Sequence, residues 1–162
     1  MKHSKILFLD FDGVLNSTQS RIWVQRRIDQ GDSVTPIDKD FCPIALSNLK
    51  KILELIPDLK IVISSSWRLG KDLGYFQKLF TKLGINSDSV IGLTPIMDSN
   101  DYSRIDEIKA WLKRNPTKSF VVLDDFSFGT NAKNLIQVND KIGLTLLDVK
   151  KISKVFKIKN QY

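Results

Sequence analysis

The sequence predicts an α/β fold: a Rossmann-like parallel sheet flanked by helices, with a short flap and no large cap domain. Three observations carry that prediction. Short apolar runs at 6–9, 61–63 and 120–123 read as strands buried on both faces. Between them, apolar residues recur at three- and four-residue steps, the period of an amphipathic helix. Strands alternating with helices close into a parallel sheet, and two of these strands end in acidic residues, where open sheets of this kind gather ligands.

The first strand runs into Asp10-Phe11-Asp12-Gly13-Val14. The strand period of two points Asp10 and Asp12 to one side and Phe11 to the other. Gly13 lets the chain leave the strand tightly. Neighbouring carboxylates repel unless a cation or a shared proton compensates them. The chemical reading is a divalent-metal site with a carboxylate nucleophile, since hard cations such as Mg²⁺ prefer oxygen ligands. The alternative is a plain turn built from ordinary turn residues.

A chain of 162 residues, 42% hydrophobic and 27% charged, is expected to form one globular domain over 1–162. No apolar run is long enough to span a bilayer, and no secretory h-region with its cleavage site opens the chain. The single cysteine, Cys42, has no partner for a disulfide, which fits a reducing cytoplasm and a buried packing role. His3, the only histidine, lies in a short polar lead, which argues against a histidine triad or a histidine zinc site. Lys and Arg outnumber Asp and Glu by 25 to 18, a net charge of +7 that favours polyanionic partners.

The stretch 17–40 has no clean period and reads as a flap over the carboxyl end of the first strand. Its Arg21 and Arg26 can grip phosphates and Trp23 can stack on a base. The equally good alternative is a solvated basic helix with one apolar side, followed by a loop through Gly31 and Pro36. Leu46, Leu49, Ile52, Leu53 and Ile56 then mark a helix that Pro43 opens and Pro57 closes.

The strand at 61–63 runs straight into Ser64-Ser65-Ser66-Trp67-Arg68. Hydroxyls and free N–H groups at a buried strand end can hold a phosphate oxygen. Arg68 either binds substrate or caps a surface, and Trp67 reads as packing. A second amphipathic helix spans Leu73 to Leu83 and stops at Gly84. A short strand at 89–93 and a polar loop at 94–102 follow.

Ser103, with Asp106 three residues on, resembles a capping box for a helix to Arg114. At about 100° per residue, Arg104 shares the apolar face of Ile105, Ile108, Trp111 and Leu112. A cation on the buried side of a helix N-terminus opposes the macrodipole and calls for an anionic partner. Arg104 is therefore the expected charge against a phosphate. The strand at 120–123 ends in Asp124-Asp125, a second acidic strand terminus that suggests a shared site with the first. A last strand at 135–138 and a helix capped by Thr145 complete the chain.

Assembled in this order, the residues resemble the haloacid dehalogenase (HAD) superfamily of phosphohydrolases. Asp10-Phe11-Asp12-Gly13-Val14 resembles its first motif, Ser65 its second, Arg104 its basic third and Asp124-Asp125 its acidic fourth. A closer resemblance is to the HAD domain of Swiss Army Knife RNA-repair proteins. Ser64 to Arg68, Arg104 to Leu112, Val122 to Asp125 and Gly143-Leu144-Thr145 carry it. Ile105 and the run Asp-Asp-Phe depart from that branch.

The resemblance implies a mechanism. Asp10 would attack phosphorus to form an aspartyl-phosphate, and Asp12 would protonate the leaving oxygen and then activate water. Ser65 and Arg104 would hold the transferring oxygens, with Ser64, Ser66, Arg68, Arg21 and Arg26 as further substrate contacts. Mg²⁺ would be held by Asp10, the backbone carbonyl of Asp12, Asp125 and its neighbour Asp124. An acid/base at Asp12 favours phosphate-ester hydrolysis. A site under a small flap and a basic chain suit phosphorylated RNA or DNA ends, with no membrane or obligate protein partner. The rivals are a small-metabolite or nucleotide phosphatase of the same superfamily and a non-catalytic RNA-binding module.

Overall fold

The computed structural model describes residues 5–97, 103–128 and 134–158. His3 and the end of the loop at 94–102 lie outside the described residues. Five strands, β1 (Lys5–Leu9), β2 (Leu59–Ile63), β3 (Val90–Leu93), β4 (Ser119–Asp124) and β5 (Leu135–Gln137), form one parallel sheet in the order β3-β2-β1-β4-β5. β1 lies at the centre, so the carboxylates that follow it emerge in the middle of the sheet's carboxyl edge.

The faces of the sheet divide by the alternation of strand side chains. Leu7, Leu9, Ile61, Ile63, Val121 and Leu123 face the larger core. That core is closed by α3 (Pro43–Leu55), α4 (Leu73–Lys82) and α6 (Leu146–Val155). Ile6, Phe8, Val62 and Val122 face the smaller core under α5 (Arg104–Arg114), where Trp111 meets the Phe8 ring edge-on at 5.4 Å. Pro43 and Thr145 occupy the helix starts expected of them: Pro43 is the first residue of α3, and the Thr145 hydroxyl accepts from the Asp148 N–H.

The stretch 17–40 takes the helical alternative. α1 (Thr18–Asp29) is capped by Ser17 and buries only Val24, leaving Ile22, Trp23 and Ile28 largely exposed. Pro36 opens a second short helix, α2 (Pro36–Asp40), where the sequence reads as a loop; Thr35 caps it. Proline is well suited to a first helical turn, which explains the difference.

The turn after β1 is bolted to the far end of the chain. Leu144 N–H donates to Val14 O at 2.9 Å, and Asn48 on α3 donates to Leu144 O at 2.9 Å. Gly143, at φ +82°, sits so close that a Cβ there would lie 3.1 Å from Val14 O. Phe11 anchors the same turn from inside. It is fully buried and meets Trp67, Phe76 and Phe41 edge-on at 5.3, 5.8 and 5.9 Å.

Phe11→Ala is expected to cost about 3–5 kcal/mol, the range for emptying a buried aromatic site. Urea denaturation measures it; a loss below about 1 kcal/mol would show that the aromatic cluster does not anchor the turn.

Candidate active site

Parallel pairing sets the site. Leu9 pairs with Ile63 on one side and Leu123 on the other, so Asp10, Ser64 and Asp124 come next on three adjacent strands. The ladder continues one step further, with Ser64 N–H donating to Leu9 O and Asp10 N–H to Leu123 O, both at 3.0 Å. By alternation all three side chains follow Ile6, Phe8, Val62 and Val122 toward the α5 face. The helix that covers that face begins with Arg104.

The Arg104 guanidinium bridges two of them, 2.7 Å from Asp10 Oδ2 and 2.6 Å from Asp124 Oδ2. Both carboxylates are buried, and each also accepts a backbone N–H at 2.8 Å, Asp10 from Phe11 and Asp124 from Phe126. Burial works against the charge on Arg104, but the two carboxylates outweigh it and raise its pKa. Asp124 is pushed up to about 6, first by burial and then by the nearby charge of Asp10, which Arg104 only partly offsets. Burial and Asp10 also raise the pKa of Asp125.

Asp10, Asp124 and Asp125 each bring an oxygen within 4.8 Å of the others. Three hard oxygen donors beside a single guanidinium leave negative charge in excess, the donor set and charge that suit a divalent cation. Gly13 makes room for it: at φ +74°, it lies flat against the Asp125 carboxylate, where any Cβ would overlap it.

Asp12 departs from the strand reading. The period of two ends with the strand at Leu9, and Asp12 sits in the following turn, its carboxylate outside the Asp10-Asp124-Asp125 cluster. Its Oδ1 accepts from Asn16 at 2.9 Å and Arg21 at 3.2 Å, and its Oδ2 from Trp67 Nε1 at 2.9 Å.

The serines divide differently from the sequence expectation. Ser65 Oγ caps a single 3₁₀ turn (Ser66–Arg68) by accepting from Trp67 N–H at 3.3 Å. Ser64 Oγ is buried, has no hydrogen-bond partner among the described residues and stands in the row with Asp10. A buried orphan hydroxyl carries a desolvation cost that a phosphate oxygen would relieve. Ser64, one place before the expected Ser65, is thus the serine that follows Ile63 in register with Asp10. Ser66 is exposed at the rim.

Arg68 spends its donors within the fold. It is buried and paired with Glu107 on α5, and its other donors go to the carbonyls of Thr94 (3.0 Å), Ser65 (2.9 Å), Ser64 (3.3 Å) and Pro95 (3.4 Å). All five N–H groups of a guanidinium are thereby engaged. Burial lowers its pKa against the pull of Glu107. Arg68 acts as a clamp on the turn that carries Ser64 and Trp67. Arg21 is exposed and joins the site through Asp12 and through Asn16 Oδ1 at 3.1 Å. Arg26 is also exposed, and five positions on it points about 140° round α1 from Arg21.

Asn16 and Trp67 have site contacts that the sequence reading did not assign. Asn16 is buried, and besides binding Asp12 and Arg21 it accepts from Gly13 N–H at 3.0 Å. An Asn four residues after Asp12 is a signal for such a turn, since short amides commonly hydrogen-bond nearby backbone.

A parallel sheet with acidic strand tips, a basic helix start opposite them and no large cap defines the HAD class of domain. The family described as the HAD domain in Swiss Army Knife RNA repair proteins matches residues 6–149, and the chain belongs to it. Among solved structures, the HAD domain of the effector protein Lem4 from Legionella pneumophila is similar in fold. It shares 19% identity at a TM-score of 0.50, over 96% of this chain and 93% of that one. No curated protein matches. Among the described residues, no helix is long and apolar enough to cross a membrane.

The raised pKa of Asp124 has a sign that can be checked in EDTA. Folding favours its protonated form, so its contribution is full below about pH 4 and is lost as pH rises through about 6. Asp124→Asn, which cannot ionise, should gain stability relative to wild type across that window, by at most about 1.4 kcal/mol per pH unit. Paired denaturant titrations from pH 4 to 7 measure it, and a difference that stays flat would contradict the assignment.

Proposed function

We propose that the protein is a Mg²⁺-dependent phosphohydrolase acting through an aspartyl-phosphate on Asp10, with phosphorylated nucleic-acid ends as substrate. The observation that carries this reading is the row at the strand tips. A carboxylate, a guanidinium 2.7 Å from it and a buried hydroxyl without a partner among the described residues stand on neighbouring strand tips and the helix above them, with further carboxylates beside them.

In the first step an Asp10 oxygen attacks phosphorus, the bond from phosphorus to the leaving oxygen breaks, and Asp12 gives that oxygen its proton. In the second, Asp12 takes a proton from water, the water oxygen attacks the phosphorus of the aspartyl-phosphate, and inorganic phosphate and free Asp10 result. Arg104 and Ser64 donate to the phosphoryl oxygens throughout, where charge builds up in the transition state. Asn16, Arg21 and Trp67 hold the Asp12 carboxylate in place. Mg²⁺, bound by Asp10, Asp124 and Asp125, would supply charge neutralisation for the phosphate.

The nucleic-acid preference rests on the family, on the net charge of +7 and on a site without a large cap to exclude a polymer. A 3′-phosphorylated RNA oligonucleotide should release phosphate with Mg²⁺ and not with EDTA, and faster than the matching mononucleotide. Asp10→Asn should lower kcat by at least about 10³-fold, as loss of a nucleophile does. Equal or better turnover of the mononucleotide would move the substrate to small phosphate esters. Full activity in Asp10→Asn would overturn the mechanism.

A further inference from the structure

A cavity of about 460 Å³ opens beside Asp12, whose carboxylate lies outside the Asp10-Asp124-Asp125 cluster, and is lined by Ser66, Trp67, Leu69, Lys71 and Tyr75 as well as Asp12 and Asp40. We propose that this cavity seats the nucleotide bearing the scissile phosphate, with the exposed Tyr75 ring packing against its base and Lys71 pairing with the adjoining phosphodiester. The inference rests on the reading of Asp10 and Asp12 given above, because the group leaving phosphorus must lie on the side of the acid that protonates it.

The lining has mixed chemistry. It joins an ammonium, two carboxylates, a serine hydroxyl and two aromatic rings around one space. A site for a bare polyanion would have no use for Asp40 or exposed apolar surface, whereas a nucleotide presents a flat base, sugar hydroxyls and a phosphate together. Leu69 and Tyr75 are 56% and 41% exposed, so apolar surface faces solvent beside the active carboxylates. The Lys71 ammonium lies 4.6 Å from the Tyr75 ring centroid and 5.4 Å from that of Trp67. Cation–π contact holds it in place without neutralising it. Among the described residues no carboxylate forms an ion pair with it.

The shelf is also rigidly tied to the reacting groups. Trp67 donates to Asp12 and packs edge-on against Phe11. Lys71 N–H donates to Arg68 O at 3.1 Å, and Arg68 is itself clamped inside the fold. Asp72 then caps α4 by accepting from Tyr75 N–H at 2.8 Å, which fixes the backbone of that ring. The aromatic lining and the turn after β1 are thus joined by direct contacts, an arrangement that limits the ordering cost of binding.

The test compares a 3′-phosphorylated oligoribonucleotide with glycerol 2-phosphate. Tyr75→Ala and Lys71→Ala should each lower the ratio of their kcat/KM values by about fivefold or more, chiefly through KM for the oligonucleotide, and Tyr75→Phe should restore it. Tyr75→Ala leaves net charge unchanged and so separates stacking from general attraction. A ratio that stays at the wild-type value in both alanine variants would overturn the proposal. A second arm measures fluorescence anisotropy of the labelled oligonucleotide on Asp10→Asn protein with and without Tyr75→Ala. Weaker binding with Tyr75→Ala supports the shelf even if no substrate is hydrolysed, and unchanged binding refutes it even if the phosphatase reading holds.

Discussion

The bridge from Arg104 to Asp10 and Asp124 is the interaction on which the rest of the site depends. A parallel sheet that places two buried carboxylates on adjacent strand tips builds in a repulsion that the fold must offset. A single guanidinium, 2.7 and 2.6 Å from the two oxygens, does so from the first residue of α5. A cation there opposes the dipole of its own helix. The position is tenable because two carboxylates outweigh both that dipole and the cost of burial. With Asp125 added, the described ion pairs set the one Arg104 guanidinium against three carboxylates, a donor set that suits a further cation.

A second constraint comes from the turn between β2 and α4. Arg68 spends every donor on Glu107 and four backbone carbonyls, so it fixes the turn instead of binding a ligand. That turn sets Ser64 into the row and carries Trp67 to Asp12. Opposite it, Gly13 and Gly143 let the turn after β1 pack between Asp125 and the start of α6. The carboxylate cluster is thus held by buried structure on both sides, while α1, with Arg21, stands at the solvent edge.

What the sequence reveals of this follows from what is local. Apolar runs, helical periods and acidic strand ends depend on neighbours along the chain, and they carried the sheet and its functional edge. Arg104 was legible because its wheel position and helix start left it needing an anion. The choice between Ser64 and Ser65 was not, since it turns on the pairing of Leu9 with Ile63 across the sheet. Extending the strand period to Asp12 failed because the strand stops at Leu9. Arg68 reads as a surface cation in any window of sequence; its partner Glu107 is 39 residues away, on a helix that only the fold brings near.

The central claim is that Asp10 becomes covalently phosphorylated. The most direct measurement is mass spectrometry of protein quenched in acid during turnover of a phosphorylated oligonucleotide, with and without hydroxylamine, which cleaves acyl phosphates. The account predicts one added phosphoryl group, mapped to the peptide containing Asp10 and removed by hydroxylamine. Rapid turnover with no phosphorylated protein, or a label on any other residue, would contradict it.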